Sequence, residues 1–183
     1  MMIEGSQLEP HCYVERYPEL FAKLKAAGWT GKRLQGHHKS AWVREASLFI
    51  LHPSAFDFLL QFEGLMIEAP SHISEQSQHI NRIRFYPDLA FASMKTSAAD
   101  YELDIEEILG DQEVFPVAEA NGKVLFITLS CRAAFIDQSL CGYLRASNPF
   151  VLLNTVLFET DGDGMVEREV VPMGDRVTGR PMW

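Results

Sequence analysis

The stretch VFPVAEANGKVLFITLS, residues 114–130, decides the fold of this chain. Its two apolar runs flank Asn121-Gly122, a dipeptide that is the strongest short-range signal for a two-residue β-hairpin turn. A further apolar run, Ala133–Ile136, follows closely and fits a third strand. The sequence therefore predicts an antiparallel meander in the second half of the chain.

Apolar residues at helical or alternating spacing mark the elements around this meander. Proline stands at the start of several helical patterns, where its fixed φ and missing N–H are tolerated, and glycine follows several of their ends. The predicted helices cover residues 18–27, 42–50, 53–63, 98–109 and 150–158, and the last contains β-branched residues that also permit a strand. Further strands are predicted at 65–68, 81–86 and 165–171, with a polar loop at 70–79.

These elements predict an α+β fold, in which helices pack against a mixed, mainly antiparallel sheet. With 183 residues and 47% hydrophobic content, the chain has the size and the apolar content of one domain. We expect that single domain to cover residues 1–160. Residues 161–183 are expected to form a C-terminal extension that is partly extended or mobile.

The composition bears on the location of the protein, the state of its thiols and the ligands that it can bind. The apolar runs are too short to span a bilayer, and the N-terminus lacks the pattern of a secretory signal, so we expect a cytoplasmic protein without membrane contact. The three cysteines contain no Cys-x-x-Cys pair, which favours reduced thiols. A formal charge of −9 opposes the phosphate backbone and disfavours nucleic acid as a ligand.

Motifs of known catalytic sites occur only in incomplete form. Asp161–Gly164 begins like a calcium loop but lacks the later acidic ligands, so a plain turn is favoured. Pro87-Asp88 with Lys95 has the outline of a metal-dependent nuclease site. Ser93 stands where the second carboxylate is needed, so a turn at the end of a strand is favoured there.

The histidines and cysteines are also interpreted as structural residues. The six histidines, including the neighbours His37 and His38, lack acids or cysteines at metal-ligand spacing, so we expect them on the surface. Cys131 and Cys141 need a nearby base to act as nucleophiles, and Cys131 adjoins an apolar strand, which favours a small core residue. The sequence therefore predicts a protein that is not an enzyme and has no cofactor or metal.

An acidic stretch is the best local candidate for a binding surface. Residues 97–120 carry eight acids and no Lys or Arg, whereas an ordinary solvated face mixes both signs. A solvated face is the other interpretation, but such a surface also suits a basic partner, because complementary charge accelerates association. The predicted partner-binding residues are Asp100, Glu102, Asp104, Glu106, Glu107, Asp111 and Glu113.

Three segments together resemble a known family. They are LKAAGW at 24–29 with Lys32-Arg33, the stretch LHPSAFDFLLQFEGL at 51–65, and VFPVAE at 114–119. On these segments the chain resembles the SUKH-superfamily immunity proteins of the third clade, over roughly residues 17–158. Two positions depart from the family pattern: Glu63 stands in place of a glycine, and Ser130-Cys131 stands in place of an Asp-Gly turn.

The resemblance implies a non-enzymatic protein that binds a toxin delivered between competing bacteria and neutralises it by direct association. Because the acidic excess suits the basic cleft of a nuclease, we extend the expectation to a basic nuclease domain as the cognate toxin. The free protein is expected to be a monomer. Two alternatives stay open, namely a regulatory scaffold that recruits cellular proteins and a hydrolase whose site is assembled from residues far apart in sequence.

Overall fold

A computed structural model describes residues 9–31, 49, 51–71, 79–98, 109, 111, 113–137, 142–161, 164–169, 174–175 and 180–181. Among these residues a 3-10 helix, Pro10–Tyr13, precedes the α-helices α1 Pro18–Ala26, α2 Pro53–Phe62, α3 Pro87–Ala98 and α4 Pro149–Phe158. The strands are β1 Met66–Pro70, β2 Ile80–Arg84, β3 Val114–Ala120, β4 Lys123–Thr128, β5 Ala133–Asp137, β6 Tyr143–Ala146, β7 Glu167–Glu169, β8 Gly174–Asp175 and β9 Arg180–Pro181.

Strands β1 to β7 form one sheet in chain order, and each neighbouring pair is antiparallel. The sheet is therefore a meander, with α3 between β2 and β3 and α4 between β6 and β7. Strands β8 and β9 pair separately. The α+β class and the mainly antiparallel sheet predicted from the sequence are confirmed.

The hairpin between β3 and β4 forms as predicted. Asn121 and Gly122 have φ values of 48° and 80°, the left-handed pair that a type I′ turn requires. The buried Glu119 closes the turn, since its Oε1 accepts a hydrogen bond of 3.1 Å from Gly122 N. Its Oε2 forms an ion pair with Arg84 Nε at 3.0 Å, although the two atoms are not aligned for a hydrogen bond. The turn is thus fixed by both backbone and charge.

Proline at position 116 shifts the strand register. The pairing of β3 with β4 is irregular between Pro116 and Ala118. Because proline has no N–H to donate, it is tolerated in a strand mainly at such irregularities or at edges. Pro116 therefore lies beside a local irregularity of the ladder.

The core occupies both faces of the sheet. Along β4, Leu125 and Ile127 belong to the larger cluster, which includes Leu20 of α1, Phe58 of α2 and Phe150 of α4. The alternate residues, Val124 and Phe126, belong to a second cluster with Ala90 of α3 and Leu109. This division follows from the strand period of two, which sends successive side chains to opposite faces.

Helix α3 was not predicted from the sequence. Pro87-Asp88 opens this helix instead of forming a turn at the end of a strand, and Asp88 lies in its first turn. Of the helix predicted over residues 98–109, Ala98 is the last described residue of α3 and Leu109 is helical, whereas the residues between them are not described. The signal was present, since proline at the first helical position and an acid in the first turn both favour a helix start.

Two further differences concern strands. Strand β6, Tyr143–Ala146, was not predicted, because it is short and carries Arg145, and its pairing with β5 is set by tertiary structure. Pro70 was assigned to a loop but ends β1. Residues 72–78 of that loop, the predicted helix 42–50 apart from Phe49, and residues 99–108 of the predicted helix 98–109 lie outside the described residues.

The C-terminal segment takes part in the main sheet. Strand β7 lies beyond residue 160 and pairs with β6, and Arg145 forms an ion pair with Glu167 across the two strands. Strand β7 coincides with part of the strand predicted at 165–171. The boundary at residue 160 and the mobility of the extension stay predictions.

Helix α4 depends on the cap at its N-terminus. Asn148 is buried, and its Oδ1 accepts a hydrogen bond of 2.7 Å from Phe150 N. Replacing Asn148 by Ala leaves that N–H without an acceptor and is expected to lower the free energy of unfolding by about 1 kcal/mol. Chemical denaturation measures the loss, and Asn148→Ser, which keeps a capping oxygen, is expected to retain most of the stability. Equal stability of the two variants would contradict this role.

Candidate partner-binding site

Two of the predicted acidic residues lie beside the turn that joins β4 to β5. We call Thr128–Arg132, together with Asp111 and Glu113, the β4–β5 corner. Ser130 Oγ donates a hydrogen bond to Asp111 Oδ2, and Leu129 N donates one of 3.2 Å to the backbone oxygen of Glu113. The corner therefore joins the segment before β3 to the end of β4.

An exposed apolar side chain stands at this corner. Leu129 is 44% exposed, and the other large apolar side chains exposed among the described residues are Met66 and Ile80. Asp111 and Glu113 are half-buried beside it. The corner thus presents an apolar group next to two carboxylates. The remaining predicted residues, Asp100, Glu102, Asp104, Glu106 and Glu107, lie outside the described residues.

The corner is built on strained backbone. Glu113 and Cys131 have φ values of 57° and 67°, in the left-handed region that favours glycine. Each such residue costs on the order of 1–3 kcal/mol and persists only where its surroundings hold it. Cys131 occupies the position where the sequence pattern calls for the glycine of an Asp-Gly turn. The chain therefore keeps the turn while placing a side chain there.

The first turn of α2 anchors the corner. Ser54 Oγ donates a hydrogen bond of 2.7 Å to the Leu129 backbone oxygen. The same oxygen of Ser54 accepts a hydrogen bond of 3.3 Å from Cys131 Sγ. His52 Nε2 donates a bond of 2.9 Å to Ile127 O. The carbonyl of Ile127 and that of Leu129 are thus bound by side chains at the start of α2, which fixes the backbone of Leu129 in place.

His52 was expected on the surface, and this prediction is wrong. The side chain is 1% exposed and caps α2, because Nδ1 accepts a hydrogen bond of 3.3 Å from Ala55 N. With Nδ1 accepting and Nε2 donating, the ring is held as the neutral tautomer with its proton on Nε2. The position before Pro53 was the available signal, since the residue before a first-turn proline is the helix cap.

The His52, Ser54 and Cys131 group does not form a nucleophile and its base. Both histidine nitrogens are engaged, and the proton of Ser54 is directed to a carbonyl oxygen. A general base must instead reach the proton it removes. Among the described residues, no three His, Cys, Asp or Glu side chains are grouped so as to hold a metal ion. No helix in this part of the chain is long and apolar enough to cross a membrane.

Cys131 offers a direct measure of strain at the corner. Cys131→Ala keeps a Cβ in the left-handed region and loses the sulfur contact, whereas Cys131→Gly loses the side chain but releases the backbone strain. We expect the Gly variant to be more stable than the Ala variant by about 1 kcal/mol, the reverse of the usual order. Thermal unfolding of both proteins decides this. An Ala variant that is the more stable of the two would show that the strain is negligible.

The buried histidine predicts a pH dependence of stability. Burial lowers the pKa of His52 below its ordinary value of 6.5, against smaller raising effects of the bond to Ile127 O and of the Glu113 and Asp111 carboxylates. As the pH falls below about 6.5, the unfolded chain binds a proton that the folded protein still rejects, so stability decreases until the folded pKa is reached. Above pH 6.5 this contribution is complete.

Denaturation at several pH values tests this dependence. The contribution of His52 has a slope of at most about 1.4 kcal/mol per pH unit. His52→Asn keeps a capping oxygen and removes the titrating ring, so it should show a shallower loss between pH 6.5 and pH 5. His79→Asn, at an exposed position, serves as the matched control and should keep the wild-type profile. Identical profiles for the wild type and His52→Asn would contradict the assignment.

Comparison with known proteins agrees with the motifs. The family model described as SUKH-3 immunity protein matches residues 16–140, a span that runs from just before α1 past the end of β5 and contains the β4–β5 corner. No curated protein and no solved structure matches the chain.

Proposed function

Because the chain belongs to the SUKH-3 immunity protein family, we propose that it binds one cognate toxin domain and neutralises it by direct association. In this proposal the protein is non-enzymatic, acts in the cytoplasm of the cell that makes it, needs no cofactor, and meets the toxin as a monomer. The toxin is a basic domain from a polymorphic toxin system, with nuclease chemistry as the expected class.

The β4–β5 corner is the structural observation that carries this proposal. The backbone oxygen of Leu129 accepts a hydrogen bond from Ser54, and its N–H donates one to Glu113 O. The backbone at Leu129 is therefore already ordered before a partner binds. A group ordered before binding avoids part of the entropy cost of association. The Asp111 and Glu113 carboxylates beside it suit a partner with Lys or Arg around an apolar pocket.

Further acidic residues precede the β4–β5 corner in the sequence. The five other predicted acids precede Asp111 within about a dozen residues, and no Lys or Arg lies among them. A continuous acidic surface would steer a basic toxin into contact, and would be screened by salt. We therefore expect rapid, salt-sensitive association, with the apolar contact at Leu129 slowing dissociation.

Calorimetric titration of the protein with the C-terminal domain encoded by the neighbouring gene tests the proposal. Tight binding that weakens between low and high salt, together with rescue of cells that make the domain, is the expected result. Absence of binding heat and of rescue would overturn immunity as the function and favour the regulatory scaffold.

The role of the acidic stretch is tested by neutralising part of it. Glu102, Glu106 and Glu107 replaced together by Gln should slow association about tenfold at low salt and reduce its salt dependence, because steering charge is lost. The matched control replaces the exposed Glu9, Glu15 and Glu19, which lie outside the predicted surface, and should change the rate little. Stopped-flow association rates measure both. Equal effects of the two triple variants would show that net charge alone matters.

A further inference from the structure

Strand β1 is the terminal strand of the seven-stranded sheet, and its outer edge is free of other described strands. It pairs with β2 on one side, and no described strand lies on its other side. The register alternates between residues whose backbone groups face β2 and residues whose groups face away. Phe85 N donates to Leu65 O and Ser71 N donates to His79 O, so the odd positions of β1 face β2. Met66, Glu68 and Pro70 therefore direct their backbone groups outward.

These outward groups make a short template for another strand. Met66 and Glu68 each offer an N–H and a carbonyl oxygen, whereas Pro70 offers only the carbonyl. No hydrogen bond to these outward groups is present in the described part of the chain. Native proteins usually block such edges, because unpaired strands invite pairing with another chain. Pro70 shortens this edge to two donor positions without removing it.

Apolar side chains accompany the free edge. Met66 and Ile80 are 46% and 47% exposed, and both stand on the open face of the β1–β2 pair. Between them Glu68 is 37% exposed, and one of its oxygens is held by Arg82 Nε. Glu68 is the charged residue of β1. A strand added outside β1 would thus meet one carboxylate between apolar neighbours.

We propose that this edge binds an extended, basic segment of the toxin, which adds an eighth strand to the sheet through the backbone groups of Met66 and Glu68. The inference rests on the proposed function and names a second contact for the same partner. Main-chain pairing supplies affinity in this mode of recognition, and side chains on alternate positions supply specificity. A Lys or Arg opposite Glu68 and an apolar residue beside Met66 fit the charges and exposure observed.

The geometry favours a toxin segment over a second copy of this chain. Antiparallel pairing of two β1 strands centred on Glu68 sets the two Glu68 carboxylates against each other, which is unfavourable. A basic segment meets the same carboxylate with opposite charge. Leu129 follows β4, which lies three strand spacings, about 14 Å, from β1. Along the strand direction Leu129 lies about 17 Å from Met66. An interface of about 800 Å² per partner covers both.

A proline substitution isolates the backbone contact. Glu68→Pro removes an outward N–H while leaving the inward bonds of β1 intact, and Pro70 already occupies the next outward position. Glu68→Gln removes the charge and keeps the N–H. We expect Glu68→Gln to weaken binding of the adjacent-gene toxin domain by about threefold and Glu68→Pro to weaken it by about thirtyfold. Unfolding curves of both free variants verify that the fold is retained.

Amide hydrogen exchange gives a second measure that does not depend on a variant. The N–H groups of Met66 and Glu68 should exchange rapidly in the free protein and become protected in the complex, whereas Ile67 and Ala69 should be protected in both. Toxin binding with equal affinity of the two variants and no new protection at Met66 and Glu68 would overturn the edge contact alone. Lack of binding by the wild-type protein would overturn the proposed function and this inference together.

Discussion

Burial of the β3–β4 pair on both faces is the constraint on which the rest of the structure depends. Every residue of β3 is buried, and successive residues of β4 enter different clusters. A strand pair with two apolar faces needs cover on both of them. Helices α1, α2 and α4 contribute to the larger cluster, and α3 contributes Phe91 to the larger cluster and Ala90 to the smaller one. The placement of helices on both faces of the sheet meets that requirement.

Buried polar groups then fix how the helices sit on the sheet. His52 and Ser54 at the start of α2 bind carbonyls at the end of β4, and Asn81 of β2 binds Leu157 O at the end of α4. A buried polar group without a partner costs on the order of 1–3 kcal/mol, so these contacts select one docking geometry. Both backbone polar groups of Leu129 are consequently hydrogen-bonded, which fixes the path of the chain at the β4–β5 corner.

The sequence predicts those parts of the fold whose signals are local. Asn121-Gly122 specifies its own turn, which is why the hairpin was predicted, and a proline at the start of α4 is a local signal of the kind from which the helix over 150–158 was predicted. His52 was misplaced because its partner Ile127 lies 75 residues away and only the fold brings the two together. Strand β6 was missed for the same reason. For the candidate site, the sequence indicated Asp111 and Glu113, but Leu129 became visible only once its exposure was known.

A stoichiometric titration distinguishes neutralisation of a toxin by direct binding, which we propose for this protein, from neutralisation by catalysis. If the neighbouring gene encodes a toxin, the activity of its purified C-terminal domain would be measured against increasing amounts of the protein. Tight one-to-one binding should give a linear loss of toxin activity that ends near one protein per toxin. Full toxin activity at a saturating excess, or complete loss at a small fraction of one equivalent as an enzyme would cause, would contradict it.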